Sequence, residues 1–124
     1  MAGSRRVLIV EDEVLIRMLA VDMLEELGFA TDEAGNAAEA LQKLKPSGGD
    51  YVLIFLDIGL PDKKGDDLLK EIRAFNAAIP VLVASGEAKA DLKKRLDGFA
   101  PIGYLTKPYD QDRLSAALAA LKVA

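Results

Sequence analysis

The stretch Val52-Leu53-Ile54-Phe55-Leu56-Asp57 decides the fold, because an apolar run long enough for a strand and too short for a helix ends in a carboxylate. Three further apolar runs also end in polar groups: Val7–Val10 before Glu11, Val81–Ala84 before Ser85, and Ile102–Thr106 before Lys107. In open parallel α/β sheets, ligands bind at the carboxyl ends of the strands. Carboxylates, a hydroxyl and an ammonium there predict a site for a metal cation and a phosphoryl group.

Stretches of helical periodicity lie between these runs. The predicted helices are Ile16–Leu27 closed by Gly28, Ala38–Leu44 opened by Asn36 and stopped before Pro46, Leu68–Phe75 capped by Asp66 or Asp67, Ala88–Leu96, and Leu114–Leu121. One more strand is predicted over Phe29–Glu33, and loops are predicted over residues 47–50 and 58–65. Strands alternating with helices predict βα units and an α/β fold with a doubly wound, three-layer parallel sheet.

The composition is that of an ordinary globular protein, and it excludes several kinds of chemistry. With 124 residues, 51% of them hydrophobic, we expect a single domain over residues 1–124 with its core at about residues 5–123. A net charge of −4, with one basic cluster at residues 89–95, argues against direct nucleic-acid binding. The absence of cysteine and histidine excludes disulfides, thiol catalysis and phosphohistidine chemistry within the chain.

The sequence contains no membrane-targeting signal. No apolar run approaches the ~20 residues that cross a bilayer, and the amino terminus does not have the pattern of a signal peptide. We therefore expect a cytoplasmic protein without membrane association. Since the chain ends just after its last helix, we expect a stand-alone domain that acts on another protein; a piece of a longer regulator would have the same pattern.

Four motifs, in order and spacing, resemble the receiver domains of two-component response regulators. They are Val7–Glu13, Leu56–Pro61 with Gly65 following, Val83–Gly86, and Tyr104–Pro108. The resemblance covers essentially the whole chain. It implies a flavodoxin-like sheet of five strands in the order 2-1-3-4-5, with five helices. It also implies a phospho-accepting signalling switch that catalyses only its own phosphoryl transfer and hydrolysis.

The charge of the carboxylates indicates a cation site, and the resemblance implies a role for each of them. Glu11, Asp12 and Asp57 concentrate negative charge, which is unfavourable until a cation arrives, and a hard cation such as Mg²⁺ prefers oxygen ligands. The resemblance makes Asp57 the phosphoacceptor, supplied by a histidine kinase, a histidine phosphotransfer protein or a small acyl phosphate. It assigns Mg²⁺, or Mn²⁺ in its place, to Asp12, Asp57 and the carbonyl of Gly59, with Glu11 acting through a bound water.

The resemblance also implies how the switch works. Lys107, joined to Pro108 by a cis peptide, and Ser85 would bind the phosphoryl group, and Tyr104 would turn inward as Ser85 moves. The surface of the fourth helix, fifth strand and last helix would then change and control a downstream effector protein. We expect a monomer or a weak homodimer.

Some positions depart from the family's usual residues, and they leave other functions to be weighed. Glu11 replaces an aspartate and Ser85 a threonine, both common variations. Gly59 and Glu87 occupy positions that tune how fast water removes the phosphoryl group, so the lifetime of the signal stays open. One alternative is a pseudo-receiver that only binds proteins. A second is a dehalogenase-type phosphatase, but this class normally has an aspartate at the position of Gly59. A third is a nucleotide binder, which would need a first loop that cradles phosphate, whereas the first loop here is acidic.

Overall fold

The computed structural model describes residues 5–47 and 51–123, which form five parallel strands and five α-helices in strict alternation. The strands are β1 (Arg6–Val10), β2 (Ala30–Ala34), β3 (Tyr51–Asp57), β4 (Val81–Ser85) and β5 (Ile102–Thr106). The helices are α1 (Val14–Glu26), α2 (Ala37–Ser47), α3 (Gly65–Phe75), α4 (Lys89–Leu96) and α5 (Gln111–Ala120). A short 3-10 helix, Asp97–Phe99, connects α4 to β5.

The sheet has the order β2-β1-β3-β4-β5, which confirms the predicted doubly wound topology. Strand β3 lies at the centre, where it pairs with β1 on one side and β4 on the other. The register places Val10 beside Leu56 and Asp57 beside Ala84, so these strands end at nearly the same level. That edge receives the polar residues that follow each strand.

Two apolar layers cover the two faces of the sheet. Alternate residues of β3 point to opposite sides: Leu53 and Phe55 pack with α1 and α5, whereas Ile54 and Leu56 pack with α2, α3 and α4. All four are essentially inaccessible to solvent. A parallel strand buried on both faces reads as a continuous apolar run, and for this reason Val52–Leu56 was recognisable in the sequence.

Local capping confirms two of the predicted helix boundaries. Gly28 has a positive φ of 96°, and its N–H donates to the carbonyl of Glu25 at the end of α1. A left-handed conformation is available to glycine at little cost, so this residue closes the helix. At the start of α2, the side chain of Asn36 accepts a hydrogen bond from the N–H of Glu39 at 2.9 Å.

Other predicted boundaries are wrong, for local reasons. Helix α2 runs to Ser47 instead of stopping before Pro46, because a proline in the last turn removes only one backbone donor. Lys64 occupies the N-cap position of helix α3, so Asp66 and Asp67 lie in its first turn. Their negative charge interacts favourably with the helix dipole there. Strand β2 is Ala30–Ala34, one residue later than predicted, because the N–H of Phe29 still bonds to α1.

Smaller differences concern the ends of elements. Helix α4 begins at Lys89 with Ala88 as its N-cap, and the 3-10 helix after α4 was not predicted. Ser47, predicted in a loop, ends α2, and the rest of that loop, residues 48–50, lies outside the described residues. Among residues 5–47 and 51–123, two peptide bonds are cis, the expected Lys107–Pro108 and an unexpected Ala100–Pro101. Within the described chain, no helix is both long and apolar enough to cross a membrane.

Candidate functional site

The carboxyl edge of the sheet brings together charged residues at the ends of β1, β3 and β5. Glu11 comes directly after β1, Asp57 is the last residue of β3, and Lys107 comes directly after β5. Ser85 ends β4, and its carbonyl accepts a hydrogen bond from the backbone N–H of Lys107 at 2.8 Å. Residues far apart in the chain are neighbours here because adjacent parallel strands all end at this edge.

Three carboxylates lie within reach of one cation. Glu11, Asp12 and Asp57 each offer an oxygen, and these oxygens all lie within 4.8 Å of one another. Glu11 and Asp57 are buried, whereas Asp12 is exposed at the mouth. Because hard divalent cations such as Mg²⁺ and Mn²⁺ prefer carboxylate and carbonyl oxygens, this donor set fits such an ion.

A single lysine balances part of this negative charge. The Nζ of Lys107 lies 3.2 Å from Oδ1 of Asp57 and 3.4 Å from Oε1 of Glu11. Burial acts to lower the pKa of Lys107, but the charges of Asp57 and Glu11 outweigh it and the pKa is raised. The ammonium is therefore held in its charged form, in direct contact with the Asp57 carboxylate.

The protonation of Glu11 is strongly perturbed by its position. Its pKa is raised from 4.5 to about 7, chiefly by burial and also by the neighbouring charge of Asp57. The N–H of Glu13, 3.1 Å from Oε2, and Lys107 act in the opposite direction. Without a bound cation, this carboxyl therefore binds a proton near neutral pH, as expected of crowded carboxylates.

Gly59 leaves open space beside Asp57. Its N–H donates a long hydrogen bond of 3.4 Å to Oδ1 of Asp57. A Cβ at this position would lie 3.9 Å from the same oxygen, in van der Waals contact, so a larger side chain would begin beside the carboxylate. The glycine keeps that approach free.

The remaining predicted residues make hydrogen bonds outside the acidic cluster. Ser85 is buried, and its Oγ accepts from the N–H of Glu87 at 3.0 Å. The carboxylate of Glu87 forms an ion pair with Arg95, at 3.0 Å. The hydroxyl of Tyr104, which is half-buried on the edge strand, donates to Oδ1 of Asp97 at 2.8 Å.

Several residues that support the site were missed from the sequence. Arg17 donates to the carbonyl of Glu11 at 2.8 Å and pairs with Glu33, so it fixes the turn after β1. Asp62 accepts from the N–H groups of Ala37 and Ala38 and so attaches the loop after Asp57 to α2. Glu33 lies 16 residues from Arg17, and Ala37 lies 25 residues from Asp62, so no local motif of the sequence indicates these contacts.

Two further residues lie on the rim of the site. Arg95 bridges Glu87 and Asp66, at 3.0 Å from each, and so connects α4, the loop before it and α3. The ring of Tyr109 packs against Phe55 with 5.8 Å between centroids, and its pKa is raised to about 12 by burial and by the charges of Glu11 and Asp57. An aromatic residue right after Lys107-Pro108 was the only available hint.

Comparison with known proteins gives a consistent result. The family model described as the response regulator receiver domain matches residues 7–119. The cell cycle response regulator CtrA of Brucella ovis is 36% identical over 118 residues, covering 94% of this chain and 49% of that protein. The sensor kinase CckA of Brucella abortus is 32% identical over 118 residues, covering 95% of this chain and 12% of that protein. The chain thus spans half or less of these relatives.

Solved structures agree with the sequence relatives. A CheY-like receiver domain from Methylobacillus flagellatus has a TM-score of 0.83 at 30% identity, with 96% of this chain and 99% of that chain covered. The chemotaxis protein CheY4 of Vibrio cholerae has a TM-score of 0.86 at 24% identity, with 96% and 99% covered, and shows that the fold is the same. With its family model, its relatives and its acidic edge in agreement, this chain belongs to the response regulator receiver domains of two-component signalling.

Proposed function

We propose that Asp57 accepts a phosphoryl group, in a Mg²⁺-dependent reaction, from the phosphohistidine of a histidine kinase or a histidine phosphotransfer protein. The contact that carries this proposal is the one between Lys107 and Asp57, at 3.2 Å, beside two further carboxylates. It pairs a potential nucleophile with a cation that can meet the incoming phosphoryl oxygens. Small acyl phosphates would serve as alternative donors.

The chemistry at Asp57 needs little from the protein beyond position and charge. A carboxylate oxygen of Asp57 attacks phosphorus as the bond to the donor nitrogen breaks, and the electron pair of that bond returns to the imidazole. Lys107 then releases its contact with the carboxylate and binds a phosphoryl oxygen, for which a compact ammonium is suited. The hydroxyl of Ser85 donates a hydrogen bond to another phosphoryl oxygen.

The metal would be held by the same edge of the sheet. Asp12, Asp57 and the backbone carbonyl of Gly59 are its proposed ligands, with Glu11 acting through water; Mn²⁺ would substitute for Mg²⁺. When bound, the cation supplies positive charge that neutralises the phosphoryl oxygens in the transfer. The fold holds the three carboxylates close together for this cation, and their crowding and burial raise the pKa of Glu11.

The signal would leave the site through β5. Lys107 follows this strand directly, and Tyr104 lies within it, so a shift of Lys107 and Ser85 toward the phosphoryl group moves the edge of the sheet. Tyr104 would turn inward and the surface of α4, β5 and α5 would change, which controls a downstream effector protein. Gly59 and Glu87 would set the rate at which water removes the phosphoryl group.

The remaining proposals concern the context of the domain. Receiver domains are signalling switches and not classical enzymes; we propose that this one catalyses only its own phosphoryl transfer and hydrolysis. We further propose that residues 1–124 form one domain, monomeric or weakly dimeric, that works in the cytoplasm. The relatives include a kinase and a regulator, which supports a kinase partner and an effector.

Intact-protein mass spectrometry after incubation with acetyl phosphate tests the proposal. We expect one phosphoryl adduct that requires Mg²⁺ and is lost in Asp57→Asn. The matched control Asp67→Asn, which changes an exposed aspartate of α3, should be labelled like the unmodified chain. If neither acetyl phosphate nor a phosphorylated histidine donor labels the chain under conditions that label another receiver, the pseudo-receiver alternative replaces this proposal.

A further inference from the structure

The loop between β3 and α3 carries Gly59, whose carbonyl is a proposed ligand of the metal. Within residues 5–47 and 51–123, no hydrogen bond joins the backbone of residues 59–63 to another backbone group. The position of the loop therefore depends on its side chains. Leu60 is buried in the apolar core, and Lys63 forms an ion pair with Glu71 in α3. One further side chain joins the loop to a different helix, α2.

That side chain is Asp62, whose carboxylate binds two backbone N–H groups at the start of α2. Oδ1 accepts from the N–H of Ala37 at 2.9 Å, and Oδ2 accepts from the N–H of Ala38 at 3.1 Å. Because each oxygen has its own donor, the contact fixes the orientation of the carboxylate as well as its position. The hydrogen bond from Ala37 is the main cause that lowers the pKa of Asp62, so this group is charged at neutral pH.

Helix α2 gives this contact a packed support. Ala37, Ala40 and Leu44 of the helix are buried in the apolar layer on that face of the sheet. Asn36 binds the same end of the helix, where its side chain accepts from the N–H of Glu39 at 2.9 Å. Asn36 directly precedes α2, whereas the loop residue Asp62 lies 25 residues after Ala37. Of the two contacts, that of Asp62 is the one that connects α2 with the loop beside the acidic cluster.

The segment between Gly59 and Asp62 is short and stiff. Pro61 fixes its own φ at about −65° and disfavours helical conformations of the residue before it, Leu60. Leu60 is also held by its burial in the core. Because these two residues have little conformational freedom, a displacement of Asp62 is passed on to Gly59.

We infer that Asp62 is a positioning residue for the metal site: by binding the start of α2, it holds the carbonyl of Gly59 where the cation needs it. Asp62 lies outside the cluster of Glu11, Asp12 and Asp57, so it acts through the loop and not as a ligand. The inference rests on the proposed function in taking the Gly59 carbonyl as a ligand. It adds a residue outside the site that sets the affinity for the cation.

Electron paramagnetic resonance of free Mn²⁺, with Mg²⁺ as the competitor, tests the inference. We expect Asp62→Ala to weaken the binding of both ions about tenfold, the size of effect seen when a contact that supports a metal ligand is lost. Asp62→Asn should weaken binding only about threefold, because its amide oxygen still accepts from one of the two N–H groups.

The matched control is Asn36→Ala, which removes a hydrogen bond from the same end of α2 and leaves the loop contact in place. It should change the Mn²⁺ affinity less than about twofold, although it destabilises the helix as the loss of a cap does. Equal weakening by Asn36→Ala and Asp62→Ala would show that Asp62 only stabilises α2. Equal weakening by Asp62→Asn and Asp62→Ala would show that only its charge matters. Either result overturns the inference.

Nuclear magnetic resonance relaxation in EDTA gives a readout that does not need the metal. In Asp62→Ala, the backbone order parameter of Gly59 should fall from about 0.85, typical of a rigid backbone, to below about 0.6. In Asn36→Ala it should stay unchanged. An unchanged order parameter in Asp62→Ala would overturn the inference, since the loop would then be held without this side chain.

The mass assay with acetyl phosphate separates this inference from the proposed function. A chain that never forms the Asp57 adduct, but loses Mn²⁺ affinity in Asp62→Ala and not in Asn36→Ala, contradicts the transfer and leaves the role of Asp62 in place. A chain that forms the adduct with Mg²⁺, and whose Asp62→Ala variant binds Mn²⁺ with unchanged affinity, contradicts the role of Asp62 and leaves the transfer in place.

Discussion

Strands β3 and β5 each bring one member of the central ion pair to the site, but their surroundings differ. Every residue of β3 except Val52 is buried, whereas in β5 only Leu105 is buried. Strand β3 pairs on both sides, and β5, at the edge of the described sheet, pairs only with β4. The candidate phosphoacceptor therefore lies on a strand that is buried and paired on both sides, whereas the lysine that contacts it directly follows an edge strand with one buried residue.

The difference suggests a division of labour within the sheet. A reaction that depends on position needs its nucleophile held firmly, which close packing on both faces provides. A conformational change needs an element with few buried contacts, because such elements move at low cost in free energy. Edge strand β5, with a single buried residue, has that character.

The largest expected change in stability comes from removing a core side chain of β3, and it is compared with a matching substitution in β5. Phe55→Ala in β3 should lower the free energy of unfolding by about 3–5 kcal/mol, because the ring is fully buried and its removal leaves a cavity that the surrounding side chains fill only in part. Ile102→Ala in β5 should cost only about 1–2 kcal/mol, since Ile102 is partly exposed. Urea denaturation followed by circular dichroism measures both. Equal losses would contradict the difference in rigidity.

The next effect concerns the ion pair that joins the two strands. Without Mg²⁺ at pH 7.5, Lys107→Met should lower the free energy of unfolding by about 1–3 kcal/mol, because Asp57 and Glu11 lose their cation. Added Mg²⁺ should recover part of this loss and should bind the variant more tightly than the unmodified chain. The control Lys70→Met, at an exposed position of α3, should change stability by less than about 0.5 kcal/mol.

A pH titration tests the charge balance at the end of β1. The folded chain holds the Glu11 proton up to about pH 7, whereas the unfolded chain releases it near pH 4.5, so the folded state binds more protons between these values. In EDTA, the stability contributed at low pH should therefore be lost as the pH rises through 7, by about 1 kcal/mol or more.

The groups with lowered pKa, Asp62 and Glu87, act below this window, since their ordinary values are 3.8 and 4.5. The variant Glu11→Gln should accordingly flatten the change in stability between pH 5 and pH 7.5, as measured by urea denaturation. Stability that rose with pH across this window in EDTA would show that Glu11 is ionised in the folded chain.

The smallest effect is expected on the edge strand. Tyr104→Phe removes one partly exposed hydrogen bond to Asp97, so it should cost less than about 1 kcal/mol of unfolding free energy. Burial and the neighbouring Asp97 raise the pKa of Tyr104, so its hydroxyl remains a donor throughout the usual pH range. A loss as large as that of Phe55→Ala, in the same urea assay, would mean that β5 is as tightly held as β3.

Local sequence patterns predicted most of the strands and helices and several residues of the candidate site. Uninterrupted apolar runs mark buried strands, and periodic apolar residues mark the helices that cover them, so the alternation of elements was predicted from the residues. The order of the strands was implied by the resemblance to receiver domains, and the structure confirms it. The positions of Glu11, Asp57, Ser85 and Lys107 followed, because the residue after a buried parallel strand must emerge at its carboxyl edge. Helix ends were less predictable: Pro46 and Asp66 each allow more than one boundary.

Contacts between distant segments depended on the assembled fold. Packing brings Lys107 within hydrogen-bond distance of both Asp57 and Glu11, and it places Arg95 beside Glu87. Packing also buries Glu11, which raises the pKa of its carboxyl group. Local sequence encodes which residues are buried and where strands end, whereas distances, desolvation and ion pairing arise only when the layers close on one another.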